Sequence, residues 1–409
     1  MSIGKHIICV ECDFPVTLIT PPEGNKASCP RCKLTLTANH RNARSRVIAF
    51  SLTALIFLFL SLSFPFLTFS AHGNDRIVTL FQSVSVMMQG DFTILAVLIF
   101  IFTIALPGLF LLITLYVYIS LGRSSPWTGS QQLLIIMDHI RHWNMAEIYL
   151  ISILVSFIKI ITIADIELGL SFLTYVLFIL SMTMSLVNFD KHQTWQWLKE
   201  KKGAIDQQLS EHHQQHTCHQ CSHLSKANDT HCTFCGTQLH GHFTNSIQKT
   251  MALLLTSIIL YIPANLLPIM HTYVLGDDTA STIVGGIILL WSHGSYPIAI
   301  IIFIASVVVP IGKIIALLWL CYNVHYKSQL SPLSKTFLYR ATELAGRWSM
   351  VDVFVVAILV ALIQLGNITA IHPGFGAIAF TGTVILTMLA AMSFNPKLIW
   401  KHVPQGQFE

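Results

Sequence analysis

Eight of the nine cysteines stand in Cys-x-x-Cys pairs. At that spacing a tight turn points two thiolates the same way, and two such turns complete a tetrahedral shell of four sulfurs. Cys9, Cys12, Cys29 and Cys32 form one set, and Cys218, Cys221, Cys232 and Cys235 form another. A four-thiolate shell leaves no open coordination position, so each set is expected to hold a structural zinc. Iron in a rubredoxin-like shell is the competing occupant because its ligands are the same, and redox-active thiols are a further alternative. Cys321, beside Trp319 and Tyr322 in an apolar run, reads as core. The second set lies among His212, His213, His216, His219, His223, His231, His240 and His242, which could bind another metal. With all four cysteines present, that stretch reads as a solvated polar linker.

Two lysines, Lys159 and Lys313, stand inside apolar runs. A lysine near mid-bilayer costs roughly 2.5–3.5 kcal/mol on insertion scales, so it faces a bundle interior or a wet cavity. Lys159 could snorkel toward Asp165; for Lys313 that is much harder. Thr162, Ser306, Gln364 and Thr387 are candidate hydrogen-bond partners, with ordinary helix packing as the plainer explanation of each. A counter-charge for a lipid phosphate and a proton-carrying group are the two roles that fit. There is no Gly-x-x-x-x-Gly-Lys-Ser/Thr loop, no His-Glu-x-x-His site and no evident nucleophile with a base, so the chain is not expected to be an enzyme.

The elements that must position these groups are membrane helices. Only 11% of the 409 residues are charged, against about 25% in a soluble domain, so lipid replaces water around much of the chain. Eight apolar segments reach the length of about 20 residues that a bilayer requires. They fall near 47–70, 93–121, 146–165, 167–189, 249–271, 297–323, 349–370 and 374–394. Pro107 and Pro310 lie inside the second and sixth, where a kink is expected. Lysine and arginine collect on one side, with seven in residues 1–46 and six in residues 190–249, whereas Arg76 alone lies in the opposite loops. Both termini and both cysteine sets are therefore expected in the cytoplasm, where thiols stay reduced. The small net charge of +5 is distributed by membrane side and argues nothing for nucleic acid.

The two halves repeat. Trp143-Asn144-Met145-Ala146-Glu147 matches Trp348-Ser349-Met350-Val351-Asp352; Pro65 and Pro107 match Pro268 and Pro310, and Trp195 matches Trp400. In this alignment Gln364 stands opposite Lys159 and Phe110 opposite Lys313, so neither lysine has a charged copy. The expected architecture is an all-α polytopic membrane protein of two tandem four-helix modules, each preceded by a small cytoplasmic zinc ribbon. The boundaries are 1–46, 47–200, 201–245 and 246–409. Amphipathic stripes lie between the spans. On the outer side these are Ile77, Leu80, Phe81, Val84, Met87 and Met88, with Val284, Ile287, Ile288 and Trp291 as their counterpart. On the inner side Leu333, Phe337, Ala341, Leu344 and Trp348 repeat similarly. Interfacial helices account for all three, and framing a lateral opening or docking a partner is the alternative for the outer pair.

The paired ribbons, the tandem modules, the Trp-x-Met-x-acidic opening of each third helix and the Ser-Phe-Asn-Pro-Lys-Leu-Ile-Trp ending at 393–400 resemble the paraquat-inducible protein A family. The resemblance covers essentially the whole chain. It implies a protein of the Gram-negative inner membrane that works with a periplasmic MCE-domain protein and moves phospholipid between the two membranes. In that picture this chain loads or unloads the MCE tunnel. A membrane redox or metal-handling enzyme and a passive anchor for a periplasmic partner are the alternatives. One departure is visible: Asn188-Phe189-Asp190-Lys191 lacks the proline of Phe394-Asn395-Pro396-Lys397.

Overall fold

The computed structural model describes residues 5–18, 21–71, 74–89, 93–160, 165–203, 215–226, 229–239, 243–274, 277–292, 294, 296–326, 331–363 and 369–401. Two small hairpins open the chain, β1 (Lys5–Ile8) with β2 (Pro15–Leu18) and β3 (Lys26–Ser28) with β4 (Thr35–Ala38). The apolar helix α1 (Ala43–Ser63) stops just before Pro65, which has no amide to continue the ladder. A hairpin of β5 (Leu67–Ala71) and β6 (Asn74–Val78) follows, then α2 (Leu80–Gln89). Next come α3 (Thr93–Phe100), a π-helical turn at Ile101–Ala105 and α4 (Leu106–Ser120) in one continuous helix. α5 (Ser130–Trp143), α6 (Ala146–Ile160), β7 (Asp165–Leu168), α7 (Leu170–Asn188) and α8 (Lys191–Lys201) complete the first half.

The second half begins with β8 (Gln215–Thr217) and β9 (Leu224–Lys226), then α9 (Phe243–Leu266). β10 (Met270–Val274) and β11 (Asp277–Ser281) lead to α10 (Ile283–Ser292). α11 (Tyr296–Phe303), a π-helical turn at Ile304–Val308 and α12 (Val309–His325) form its long helix. α13 (Pro332–Trp348), α14 (Met350–Ile363), β12 (Thr369–Pro373), α15 (Phe375–Ser393) and α16 (Lys397–Trp400) follow. Each expected kink is met by a π turn rather than a simple break. The Leu106 amide reaches back to Ile101 O just ahead of Pro107, and the Val309 amide reaches Ile304 O just ahead of Pro310. The wider turn absorbs the donor that each proline lacks.

Among the described residues, six helices are long and apolar enough to cross a membrane: Ala43–Ser63, Ala96–Ser120, Leu170–Asn188, Ser246–Leu266, Ala299–His325 and Phe375–Ser393. The other two expected spans appear as α6, with 15 residues, and α14, with 14. Such helices rise about 22 Å, short of the ~30 Å hydrocarbon layer; residues 161–164 and 364–368, which follow them, lie outside the described residues. α6 and α14 pack on each other. Tyr149 meets Phe354 edge-on with ring centroids 5.7 Å apart, and Ser152 Oγ donates to Val351 O at 3.1 Å. α1 lies along α7 and α9 along α15, through small polar contacts such as Ser51 Oγ to Ser185 Oγ at 2.7 Å.

The all-α expectation needs correction. Four expected spans run into strands at the ends away from the cysteine sets, and these strands form two three-stranded sheets in the orders β6-β5-β7 and β11-β10-β12. Beyond Pro65 and Pro268 the backbone leaves the helix with unpaired amides and carbonyls, and antiparallel pairing satisfies them. Where each third strand returns to a helix, the chain crosses very close to that proline. Gly374 N–H reaches Ile269 O at 2.6 Å and Gly376 N–H reaches Pro268 O at 3.1 Å. Gly169 and Ser171 make the matching contacts, to Phe66 O at 3.0 Å and Pro65 O at 3.1 Å.

The amphipathic stripes fare differently. On α2, Leu80 and Val84 are buried while Phe81 and Met88 are exposed, and the helix packs on α14. The side chains of Ile77 and Met87 lie outside the description. On α10, Val284, Ile288 and Trp291 face outward. On α13 the apolar stripe of Leu333, Phe337, Leu344 and Trp348 is exposed, whereas Lys335, Thr336, Tyr339 and Thr342 are buried. That is the reverse of a helix on a soluble domain and suits an interfacial one.

Candidate metal centres and a buried lysine

Each Cys-x-x-Cys pair caps a hairpin in the same way. The residue after the second cysteine takes a left-handed conformation, with φ of 53° at Asp13, 61° at Lys33, 54° at Ser222 and 75° at Gly236. Its amide then returns to the carbonyl of the first cysteine, at 3.0, 3.0, 2.9 and 2.9 Å in chain order. This closes the turn and aims both sulfurs inward. Across the first set, Cys9 Sγ lies 3.5 Å from Cys32 Sγ and Cys12 Sγ lies 3.6 Å from Cys29 Sγ. The second set repeats this with Cys218–Cys235 at 3.5 Å and Cys221–Cys232 at 3.6 Å.

A disulfide would hold its sulfurs at about 2.05 Å. A tetrahedron with metal–sulfur bonds of about 2.3 Å has edges near 3.8 Å, close to what is found. In each set all four sulfurs lie within 4.8 Å of one another, and among the described residues no histidine belongs to either group. Four thiols this close cannot all ionise on their own. Contacts with the other thiols hold Cys29 and Cys232 below the ordinary thiol range and push Cys12 and Cys221 above it. A divalent cation at the centre removes that conflict by favouring all four thiolates. Both sets can therefore hold a metal ion.

The ribbons dock crosswise. The first set shares a buried cluster with Tyr339, Phe394, Ile399 and Trp400 of the second half. Arg340 of α13 donates to both carboxylate oxygens of Glu11, at 3.4 and 2.5 Å, and to Cys32 O at 3.1 Å. Lys397 pairs with Asp13 at 2.6 Å, and Arg31 lies over the Trp400 ring at 5.0 Å. The second set is buried with Trp195 and Leu198 of the first half. There Gln220 donates to Asp138 at 3.2 Å, Gln131 donates to Phe234 O at 3.0 Å, and Phe234 meets Trp195 edge-on at 6.2 Å. Burial alone would raise the Asp138 carboxyl, but the Lys191 ammonium at 2.8 Å, helped by His142 and by the Gln220 hydrogen bond, outweighs it and holds the group below its usual range. Asp190, which stands where the second half has Asn395, has two tasks. It caps α8 by accepting from Gln193 N at 2.9 Å, and it accepts from Thr37 Oγ1 and Ala38 N at 3.0 and 2.5 Å. Ribbon one is thus held by both halves.

Lys313 is 2% exposed on α12, and its Nζ donates to Ser349 Oγ at 3.3 Å. Ser349 joins α13 to α14 and was not anticipated as a partner; its one sequence signal is its place in the repeated Trp-x-Met motif. Ser306 is buried in the π turn, and Thr387 is buried on α15 with its hydroxyl donating to Val384 O at 2.9 Å. Lys159 lies on α6 with its side chain outside the description, and Thr162 and Gln364 lie outside the described residues. Phe110, the repeat counterpart of Lys313, is fully buried. Asn144, the counterpart of Ser349, donates to Met182 Sδ at 3.3 Å.

A sequence model described as Paraquat-inducible protein A matches residues 45–199 and 247–404. Intermembrane transport protein PqiA of Escherichia coli strain K12 is 38% identical over 99% of this chain and 98% of its own length. Probable intermembrane transport protein of Haemophilus influenzae is 29% identical over 97% and 96%. Lipophilic envelope-spanning tunnel protein A of Escherichia coli strain K12 is 29% identical over 97% and 91%. No solved structure matches the chain. The chain belongs to the paraquat-inducible protein A family.

Proposed function

We propose that this chain is the inner-membrane component of an intermembrane phospholipid transport system, loading or unloading lipid at a periplasmic MCE-domain tunnel. The observation that carries the reading is full-length similarity to relatives named for intermembrane transport and for an envelope-spanning tunnel. In this reading residues 47–200 and 246–409 are tandem modules of four spans each, eight in all, preceded by zinc ribbons at 1–46 and 201–245. The family model's two matched stretches support it, as does the contact between Tyr149 and Phe354, which occupy matched repeat positions. Both termini and both metal sites face the cytoplasm. Zinc fills the two four-cysteine sites, with iron the other ion that ligand set admits.

Lys313 supplies the working group inside the bundle, as counter-charge to a lipid phosphate or as a proton carrier. Lys159 is the second candidate working group, with Thr162, Ser306, Gln364 and Thr387 as candidate hydrogen-bond partners for the two lysines. A proton-driven cycle suits a chain without a nucleotide-binding loop. A redox or metal-handling enzyme would need an open metal position, which a four-sulfur shell does not offer, and a passive anchor has no use for a buried lysine. The test places photo-crosslinking residues at Ser306 and Thr387, both buried, and at Ile315, which is exposed. Capture of labelled phospholipid at the buried pair is expected during transport. Capture at Ile315 alone would remove the transport route from this bundle.

A further inference from the structure

Between the two halves lies a cleft of about 370 Å³, walled by α5 and α13 and floored by Met388, Ala391 and Met392 in the last turns of α15. Two of its wall charges are already committed, since Arg340 holds Glu11 and Asp138 holds Lys191. That leaves Arg141, Arg347, His142 and Glu343 in the lining. Neither arginine has an ion-pair or hydrogen-bond partner among the described residues, although Arg141 lies over the Phe189 ring at 5.8 Å. Arg347 is half-buried and two residues ahead of Ser349, the acceptor for Lys313 Nζ. Two guanidiniums lining one cleft with an apolar floor suit a phosphate ester attached to hydrocarbon, because the planar fork grips phosphate oxygens in pairs.

We propose that this cleft binds the phosphate of a phospholipid headgroup, with Arg141 and Arg347 as its donors and the two methionines beneath the glycerol and first methylenes. The inference rests on the transport reading and deepens it. α15 leaves the apolar layer at Ser393, so the floor lies at headgroup depth, where basic pockets between membrane helices hold anionic lipid. The same phosphate chemistry could come from a soluble ester; the methionine floor favours the lipid.

The test uses the full-length chain, delipidated in detergent, with phosphatidylglycerol, uncharged diacylglycerol and glycerol 3-phosphate as separate probes, read by native mass spectrometry. The wild-type chain is expected to retain phosphatidylglycerol about tenfold better than diacylglycerol, the scale of one or two charge-assisted contacts. Arg141→Gln with Arg347→Gln should abolish that preference, Arg141→Lys with Arg347→Lys should keep part of it, and Arg123→Gln, on a different loop, should not alter it. Metal content and a monodisperse elution profile establish that each variant is folded. Equal retention of the two lipids by the wild type, or an undiminished preference in the double glutamine variant, would overturn the proposal. Displacement of phosphatidylglycerol by equimolar glycerol 3-phosphate would overturn the lipid assignment. No transport partner is present, so this site can fail while the transport reading stands, and transport can fail with headgroup retention intact.

Discussion

Gly374→Ala is expected to be among the most damaging single-methyl changes in this protein. Gly374 sits at φ −87°, ψ 172°, extended backbone that alanine adopts freely, so no conformational strain enters. The cost is purely one of space. An added Cβ would stand 2.1 Å from Pro268 O and 3.0 Å from Pro268 C. Carbon and oxygen do not approach that closely, and a backbone carbonyl has no rotamer through which to retreat. Relief requires the strand and helix to separate by about 1 Å, which strains the Gly374–Ile269 and Gly376–Pro268 hydrogen bonds. Overpacking of about 1–3 kcal/mol plus roughly 1 kcal/mol for each of the two weakened bonds gives a loss of about 3–5 kcal/mol. Gly169→Ala should behave alike, with its Cβ 2.2 Å from Pro65 O. Gly312 is the internal control: it is helical with nothing within 4 Å of the added methyl, so Gly312→Ala should be neutral or gain up to about 1 kcal/mol. Membrane abundance and the thermal midpoint in detergent read all three. Wild-type values for Gly374→Ala would refute the claim that this crossing is closely packed.

Other changes follow from the same geometry. Cys218→Ser with Cys221→Ser should lower the metal from two ions to one per chain by elemental analysis and reduce folded protein in the membrane, rather than slow transport at unchanged abundance. Arg340→Ala removes the grip on Glu11 and on Cys32 O, about 1.5–3 kcal/mol of charge-assisted bonding. Amide exchange in residues 5–18 should rise, and equal protection in variant and wild type would count against the docking. Lys313→Met should reach wild-type abundance, since replacing a buried charge with an apolar group of similar length is not costly, yet fail to support lipid transport. Lys313→Arg should restore transport only where a fixed charge is the requirement, and full activity of Lys313→Met removes the lysine from the mechanism.

Local signals were the legible ones. Cys-x-x-Cys is a two-residue geometric statement, and the structure closes all four knuckles by the same left-handed turn. Apolar length likewise located the six long helices. The strands were hidden because four or five residues at the end of an apolar run look like more helix; Pro65 and Pro268 were the signals that could have exposed them. The partner of Lys313 was hidden for another reason. Ser349 is an unremarked residue between two helices, and neither hydropathy nor spacing indicates which buried hydroxyl faces a lysine 36 positions away.

Least legible of all was the exchange of ribbons, because Arg340 and Glu11 are 329 positions apart on surfaces whose charges look merely solvated. That exchange makes the two metal sites unequal. The contacts of the second ribbon described above fall on α5 and α8, both in the first half. The first ribbon is gripped by Asp190 of the first half and by Arg340 and Lys397 of the second. A metal ion in the first set therefore stiffens a piece that both halves hold, and the ion in the second set stiffens one side. The Asp190 carboxylate, at the position that the second half fills with Asn395, is what brings the first half to ribbon one. Removing that carboxylate, as in Asp190→Ala, would leave the Ala38 amide and the Thr37 hydroxyl without their acceptor.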